Sequence, residues 1–103
     1  MKIVYTPSAR EDLSEIKTYI RDVLKNPIAA NNIVSKIVKS VHLLTEQSHL
    51  GISLQEKIGR ETTYRCIFCG NYGIFYNIES TTIKIIRILD LRTDYMRIIF
   101  SEQ

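Results

Sequence analysis

The cysteines and histidines come first, because their side chains can bind metals or act as nucleophiles and bases. Cys66 and Cys69 form a single C-x-x-C with no second pair. Two thiolates are too few for a zinc site, which takes about four N or S ligands. We therefore interpret both as small, buried or half-buried residues. His42 falls on a predicted helix flank, where a lone histidine is usually solvated, and His49 falls in a loop, where function is more common.

The basic residues are the second set of side chains that could take part in binding or catalysis. The 14 Lys and Arg exceed the 11 Asp and Glu, for a net charge of +3, which favours an anionic partner without identifying one. Lys57 and Arg60 precede the first strand of a predicted sheet. Either they border a site at that strand or they are solvated surface charges.

Length and composition predict one domain over residues 1–103. The chain is 45% hydrophobic and 24% charged, as in ordinary soluble globular proteins. No apolar run approaches the roughly 18 residues that cross a bilayer, so no membrane association is expected. Residues 1–5 contain one basic residue and precede Pro7, so they lack the long apolar region of a secretion signal. We expect a cytoplasmic location.

Two helices follow a short strand at residues 2–6. Pro7 ends the strand, and Ser8 with Glu11 fits a capping box at the start of the first helix. Spacings of three and four predict one buried stripe, which comprises Ala9, Leu13, Ile16, Ile20 and Val23.

The second helix is predicted to begin at Pro27 with Asn26 as its N-cap. A short connection between the helices predicts an antiparallel hairpin. The apolar stripe of the second helix comprises Ala30, Ile33, Ile37, Val41 and Leu44.

Residues 64–95 are predicted to form the sheet and a polar tail. Runs rich in Ile, Tyr, Phe and Thr, separated by Gly70-Asn71 and by residues 79–81, predict a three-stranded antiparallel meander. The preceding residues 47–62 are predicted to be a loop with a short strand near Leu54–Ile58.

The last strand of the meander, residues 83–90, is largely apolar on both sides and is predicted to be central. Simple alternation separates its residues into two faces: Ile83, Ile85, Arg87 and Leu89 on one, Lys84, Ile86, Ile88 and Asp90 on the other. If Arg87 faces the helices, burial of its guanidinium requires a carboxylate, from Glu11, Asp12 or Glu15.

The predicted class is therefore α+β: an N-terminal strand, an antiparallel helix hairpin packed on a three- to four-stranded, mainly antiparallel sheet, and a short C-terminal tail. This order, over nearly the whole chain, resembles the RelE/ParE superfamily, the toxins of type II toxin-antitoxin modules. The stretches that carry the resemblance are YTPSA at residues 5–9, Asn26-Pro27, GNYGIFY at residues 70–76 and IRILDLRTDYM at residues 86–96.

RelE-like members of the superfamily cut mRNA on the ribosome without a metal or cofactor. Their chemistry needs cations at the phosphate and a proton acceptor near the attacking oxygen. The resemblance implies Arg65, Tyr95 and Arg92 as candidate catalytic residues. Three positions argue against a nuclease. Gly73 and Asp90 occupy positions where such nucleases carry positive or proton-transferring side chains, and Ile67 also replaces a basic residue.

ParE-like members instead poison DNA gyrase by binding it, and the GNYGIFY and Arg-x-Asp-Tyr stretches resemble them slightly better. The candidate target-binding residues are Lys57, Arg60, Arg92 and Arg97. A third hypothesis is a homologue that only binds its antitoxin.

The resemblance implies one more partner, a cognate antitoxin. It would be a small protein whose acidic or amphipathic segment covers the basic surface and wraps the helix hairpin or a sheet edge. We expect Tyr95→Phe and Arg65→Ala to leave the fold intact, because the apolar pattern requires neither side chain.

Overall fold

A computed structural model describes residues 1–101. A π-helical segment, Tyr19–Val23, continues the first helix. In chain order the elements are β1 Lys2–Tyr5, α1 Pro7–Thr18, α2 Pro27–Leu43, β2 Ile52–Ser53, α3 Leu54–Ile58, β3 Arg65–Cys69, β4 Tyr72–Glu79, β5 Thr82–Asp90 and α4 Tyr95–Phe100.

The five strands form one sheet in the order β1-β5-β4-β3-β2. Strand β1 pairs parallel with β5, and the other neighbours are antiparallel. The α+β class and the three-stranded meander are confirmed. The predicted N-terminal strand, β1, forms one edge of the sheet, and the two-residue β2 at the other edge brings the sheet to one strand more than the three to four predicted. Strand β5 lies in the interior of the sheet, between β1 and β4, as its two apolar faces predicted.

The N-cap of α1 differs from the prediction. Thr6, not Ser8, is the cap: its Oγ1 accepts the N–H of Ala9 at 3.0 Å, and Pro7 takes the first helical position. Proline is favoured there because its missing N–H would have no helical partner, so the cap moves to the preceding residue. The Asn26 cap of α2 is confirmed by a 3.0 Å bond from the Ala29 N–H to Oδ1.

Two further local predictions are wrong. Leu54–Ile58 is a helix, because Ser53 caps it through a 3.4 Å bond from the Glu56 N–H and Gly59 ends it at φ +72°. Val23 is exposed rather than buried. The π-helical turn, with the Leu24 N–H bonded to the Tyr19 carbonyl at 3.1 Å, shifts Val23 off the apolar stripe, while Ile20 stays half-buried.

Helices cover both faces of the sheet. One core lies between the sheet and α1–α2, and includes Ala9, Ile37, Val41, Leu44, Ile67, Ile74, Tyr76, Ile83, Ile85 and Ile88. A second core is completed by α3 and α4, and includes Leu54, Tyr64, Cys66, Phe75, Ile86, Leu89 and Ile99. The tail predicted to be polar thus forms α4, with Ile99 fully buried. Both cysteines are buried free thiols, as expected.

A β-bulge in β5 changes the predicted alternation of its faces. Ile85 pairs with Tyr76 and Arg87 pairs with Phe75, which leaves Ile86 without a cross-strand partner. One extra residue reverses the in-out pattern beyond it. Ile88 consequently joins the α1–α2 core and Leu89 the α3–α4 core, opposite to the simple alternation.

Arg87 meets a carboxylate of α1, the partner that the sequence required if the side chain faced the helices. Its Nε lies 2.7 Å from Oδ2 of Asp12, one of the three acidic residues considered. Within residues 1–101, no helix combines the length and the apolar character needed to cross a membrane.

Candidate functional site

Arg65 is tied to the loop that precedes β2. Its Nη2 donates to the carbonyl of Gly51 at 2.6 Å and to that of His49 at 3.3 Å. The Tyr76 hydroxyl accepts the Gly51 N–H at 2.9 Å and donates to the Ser48 carbonyl at 2.8 Å. A Cβ at Gly51 would lie 2.7 Å from that hydroxyl, so only glycine fits. Arg65 and Tyr76 together fix this loop against the sheet.

Tyr95 lies on the other face of the sheet from Arg65. It is the first residue of α4, and its ring centroid is 5.7 Å from that of Phe75 in the α3–α4 core. Arg65 pairs directly with Tyr76, whose ring belongs to the α1–α2 core. Because directly paired residues share a face, the sheet separates the side chains of Arg65 and Tyr95.

Arg92 is engaged by Asp90 at the end of β5. Its Nη2 and Nε donate to the two carboxylate oxygens at 2.7 Å and 3.0 Å, and its backbone N–H donates at 2.9 Å. These bonds lower the pKa of Asp90 and raise the pKa of Arg92. The acidic residue at this end-of-strand position is therefore neutralised within the same turn, although the Arg92 side chain is 69% exposed.

Beside this pair lies a cleft of about 490 Å³ between α1 and the ends of β4 and β5, which we call the Tyr19–Tyr72 cleft. Besides the two tyrosines, its lining includes Glu15, Asp90 and Arg92. Burial and the neighbouring carboxylate of Asp90 raise the pKa of Tyr72. Tyr72 falls in a stretch that carries the family resemblance, but the sequence assigned no role to either tyrosine.

Three cations lie on the outer surface made by α3, α4 and the residues between α3 and β3, which we call the α3–α4 face. The guanidinium carbon of Arg60 is 4.0 Å from the ring centroid of Phe100. The Lys57 ammonium nitrogen is 5.2 Å from the ring centroid of Phe68. Arg60 and Arg97 line one shallow pocket of about 540 Å³. Of the three, none forms a salt bridge with a carboxylate of residues 1–101.

A separate groove of about 460 Å³ runs between α1 and α2, and we call it the α1–α2 groove. Its apolar lining comes from β1 and both helices, and its charged lining is basic. The lining residues are Tyr5, Arg10, Leu13, Ser14, Lys17, Val34 and Val38. This groove lies on the face of the sheet opposite α3 and α4.

The structure thus distributes the candidate catalytic residues over three places, with Arg65 at the loop, Arg92 at the end of β5 and Tyr95 under α4. It groups Lys57, Arg60 and Arg97 on one face, and Arg92 lies in the adjoining cleft. In the described part of the chain, no three His, Cys, Asp or Glu side chains are grouped so as to hold a metal ion.

Comparisons with known proteins agree with this architecture. The family model described as the ParE toxin of the type II toxin-antitoxin system, parDE, matches residues 3–95. A solved structure titled "Chromosomal ParDE TA system from P. aeruginosa" superposes with a TM-score of 0.74 and 22% identity, over 88% of this chain and 96% of that chain, a likeness of fold. No curated protein sequence matches. On the family match, which spans most of its length, this chain belongs to the ParE toxins of type II toxin-antitoxin systems.

Proposed function

We propose that this ParE-family toxin arrests growth by binding DNA gyrase through the α3–α4 face and the adjoining Arg92, and that a cognate antitoxin neutralises it. The observation that carries the proposal is the separation of Arg65 from Tyr95 by the sheet. A nuclease of this superfamily would need such residues around one phosphate.

The hydrogen bonds of the arginines support binding over catalysis. General acid–base and electrostatic catalysis require donors aimed at the reacting phosphate and a proton acceptor within about 3 Å. The Arg65 Nη2 donors are used by two backbone carbonyls, and two donors of Arg92 are used by Asp90. These two side chains serve the fold and its surface without forming a catalytic set.

The α3–α4 face has the composition of a binding surface. Arg60 and Arg97 are exposed, carry no counter-charge from residues 1–101, and line a pocket together with Phe100. Arginine and aromatic side chains are enriched among the residues that contribute most to protein interfaces. Stacking on Phe100 also restricts the Arg60 side chain before binding, which lowers the entropic cost of association.

The antitoxin is proposed to occupy the α1–α2 groove with an amphipathic, acidic helix. Apolar side chains of that helix would pack on Leu13, Val34 and Val38, and its carboxylates would meet Arg10 and Lys17. Because the sheet separates this groove from the α3–α4 face, antitoxin binding and gyrase binding use different side chains of the toxin.

Inducible expression combined with a supercoiling assay on purified gyrase tests the proposal. We expect inhibition of supercoiling and DNA damage in cells, with transcripts intact. The Arg60→Ala/Arg97→Ala variant should weaken inhibition at least tenfold. The matched control, Lys36→Ala/Lys39→Ala, removes the same charge from exposed positions of α2 and should inhibit like the wild type.

Two results would overturn the proposal. One is a prompt fall in protein synthesis with cut transcripts, which would indicate an mRNA endoribonuclease acting on the ribosome. The other is an absence of growth arrest combined with tight antitoxin binding, which would indicate an inactive homologue.

A further inference from the structure

On its α1 side, the Tyr19–Tyr72 cleft is bordered by the start of an irregular, π-helical segment. The first residue of the π-helical segment, Tyr19, is 49% exposed although it is a large aromatic residue. Two bonds of the wider turn define this geometry, from the Leu24 N–H to the Tyr19 carbonyl and from the Asn26 N–H to the Ile20 carbonyl, both at 3.1 Å. π-helical turns are rare and occur frequently at functional sites.

The cleft also continues the surface to which gyrase binding is assigned above. Ile98 of α4 lines the cleft, and it also lines the small pocket that contains Arg97. A partner that contacts Arg97 therefore has an unbroken path over Ile98 to Arg92 and the two tyrosines. Val23, the last residue of the same π-helical segment, and Leu24, its C-cap, are 65% and 57% exposed.

Charge decides which class of partner fits the cleft. The two arginines in its lining are each paired with an aspartate, Arg87 with Asp12 and Arg92 with Asp90. Glu15 adds a further carboxylate. Although the whole chain carries a net charge of +3, this cleft has no excess of cations. The cleft therefore offers no excess positive charge to attract a phosphodiester backbone. A protein surface that carries apolar groups and charges of both signs can fit it.

We propose that Tyr19 and Tyr72 are contact residues for the gyrase protein, and that an apolar or aromatic side chain of gyrase enters the cleft beside Arg92. This inference rests on the proposed function and extends its interface. Tyrosine and arginine, together with tryptophan, are enriched among the strongest interface contacts. Three hydrogen bonds from Arg92 to Asp90 hold the arginine in place before binding, which reduces the cost of ordering it.

Affinity measurements on purified, full-length toxin and purified gyrase without DNA test the assignment. We expect Tyr19→Ala to weaken binding at least about tenfold, as for a strong interface residue. Tyr19→Phe, which keeps the ring, should bind within about threefold of the wild type. The matched control Leu43→Ala removes a similarly exposed apolar side chain at the end of α2 and should bind like the wild type. Affinity for the antitoxin should be unchanged in all three.

Tyr72 packs partly on the α1–α2 core, so Tyr72→Phe is used to retain that packing. It should weaken gyrase binding at least threefold. Wild-type affinity in both Tyr19→Ala and Tyr72→Phe would overturn the inference. The inference would also be overturned if the toxin bound DNA alone and Tyr19→Ala weakened that binding, because the partner would then be nucleic acid. If the wild-type toxin does not bind gyrase, the proposed function is wrong. If the wild type binds gyrase and the tyrosine variants bind equally well, only the inference about the cleft is wrong.

Discussion

Asp12 of α1 accepts three hydrogen bonds from two consecutive residues of β5. The Arg87 Nε and Nη2 donate at 2.7 Å and 2.8 Å, and the Ile88 backbone N–H donates at 2.9 Å. Asp12 is only 7% exposed, and the three bonds lie directly after the β-bulge at Ile86. The carboxylate thus joins the first helix to the strand segment whose face the bulge has reversed.

Asp12→Ala should lower the free energy of unfolding by about 3–5 kcal/mol, the usual effect of removing one partner of a buried ion pair. The remaining guanidinium of Arg87 would keep its charge in a site that is 19% exposed. Urea unfolding followed by circular dichroism measures the loss. The Asp12→Ala/Arg87→Met double variant should recover part of it, because it removes the guanidinium together with its carboxylate partner. A loss below about 1 kcal/mol for the single variant would show that the pair contributes little.

Arg65→Ala should lower stability by about 1.5–3 kcal/mol, in the range of hydrogen bonds that involve a charged group. The fold should remain intact, because the change releases the loop at Gly51 without opening either core. Thermal unfolding gives the stability, and Arg65→Lys should recover part of it. Loss of mRNA cleavage in Arg65→Ala, at unchanged stability, would instead identify Arg65 as a catalytic residue.

Arg92→Ala should raise the pKa of Asp90 toward its ordinary value, because it removes the side-chain hydrogen bonds that are the largest cause of the lowered pKa; the backbone N–H bond of residue 92 remains. A lowered folded-state pKa stabilises the protein above the ordinary aspartate pKa, and this contribution is lost as the pH falls through the lowered value. Carbon-13 NMR of the carboxyl group follows the titration. High salt should reduce the wild-type shift, since the pair is exposed. Asp94→Ala is the control, and an Asp90 pKa that is the same in Arg92→Ala and wild type would contradict the assignment.

Burial raises the pKa of the Cys66 thiol to about 12, from an ordinary value of 9.0. Because the folded state holds this proton more tightly, the stabilisation is complete below pH 9 and is lost as the pH rises toward 12. The stability difference between wild type and Cys66→Ala should therefore narrow above pH 9. Urea unfolding at pH 7, 9 and 10.5 measures it. A constant difference across this range would mean that the thiol is not shielded from water.

Local signals were sufficient where neighbouring residues determine the conformation. Asn26 and Pro27 specify the start of α2 because capping and a fixed proline φ are short-range effects. The meander followed from runs of β-branched and aromatic residues with turns at Gly70 and Ser80, both of which have positive φ. Helix α4 was missed, because a six-residue helix is stabilised by burial of Ile99 and not by a periodic pattern.

The sequence by itself determined the class of fold, the helix pair, the three consecutive strands and the membership of the RelE/ParE superfamily. It also supplied the carboxylate candidates for Arg87. Only the tertiary structure decided which residues lie together. The bulge at Ile86 is a property of the pairing between β4 and β5, and it sets the face of every later residue in β5. Likewise, the register of β3 with β4 and the packing of α4 place Arg65 and Tyr95 on opposite faces, and no spacing along the chain encodes that separation.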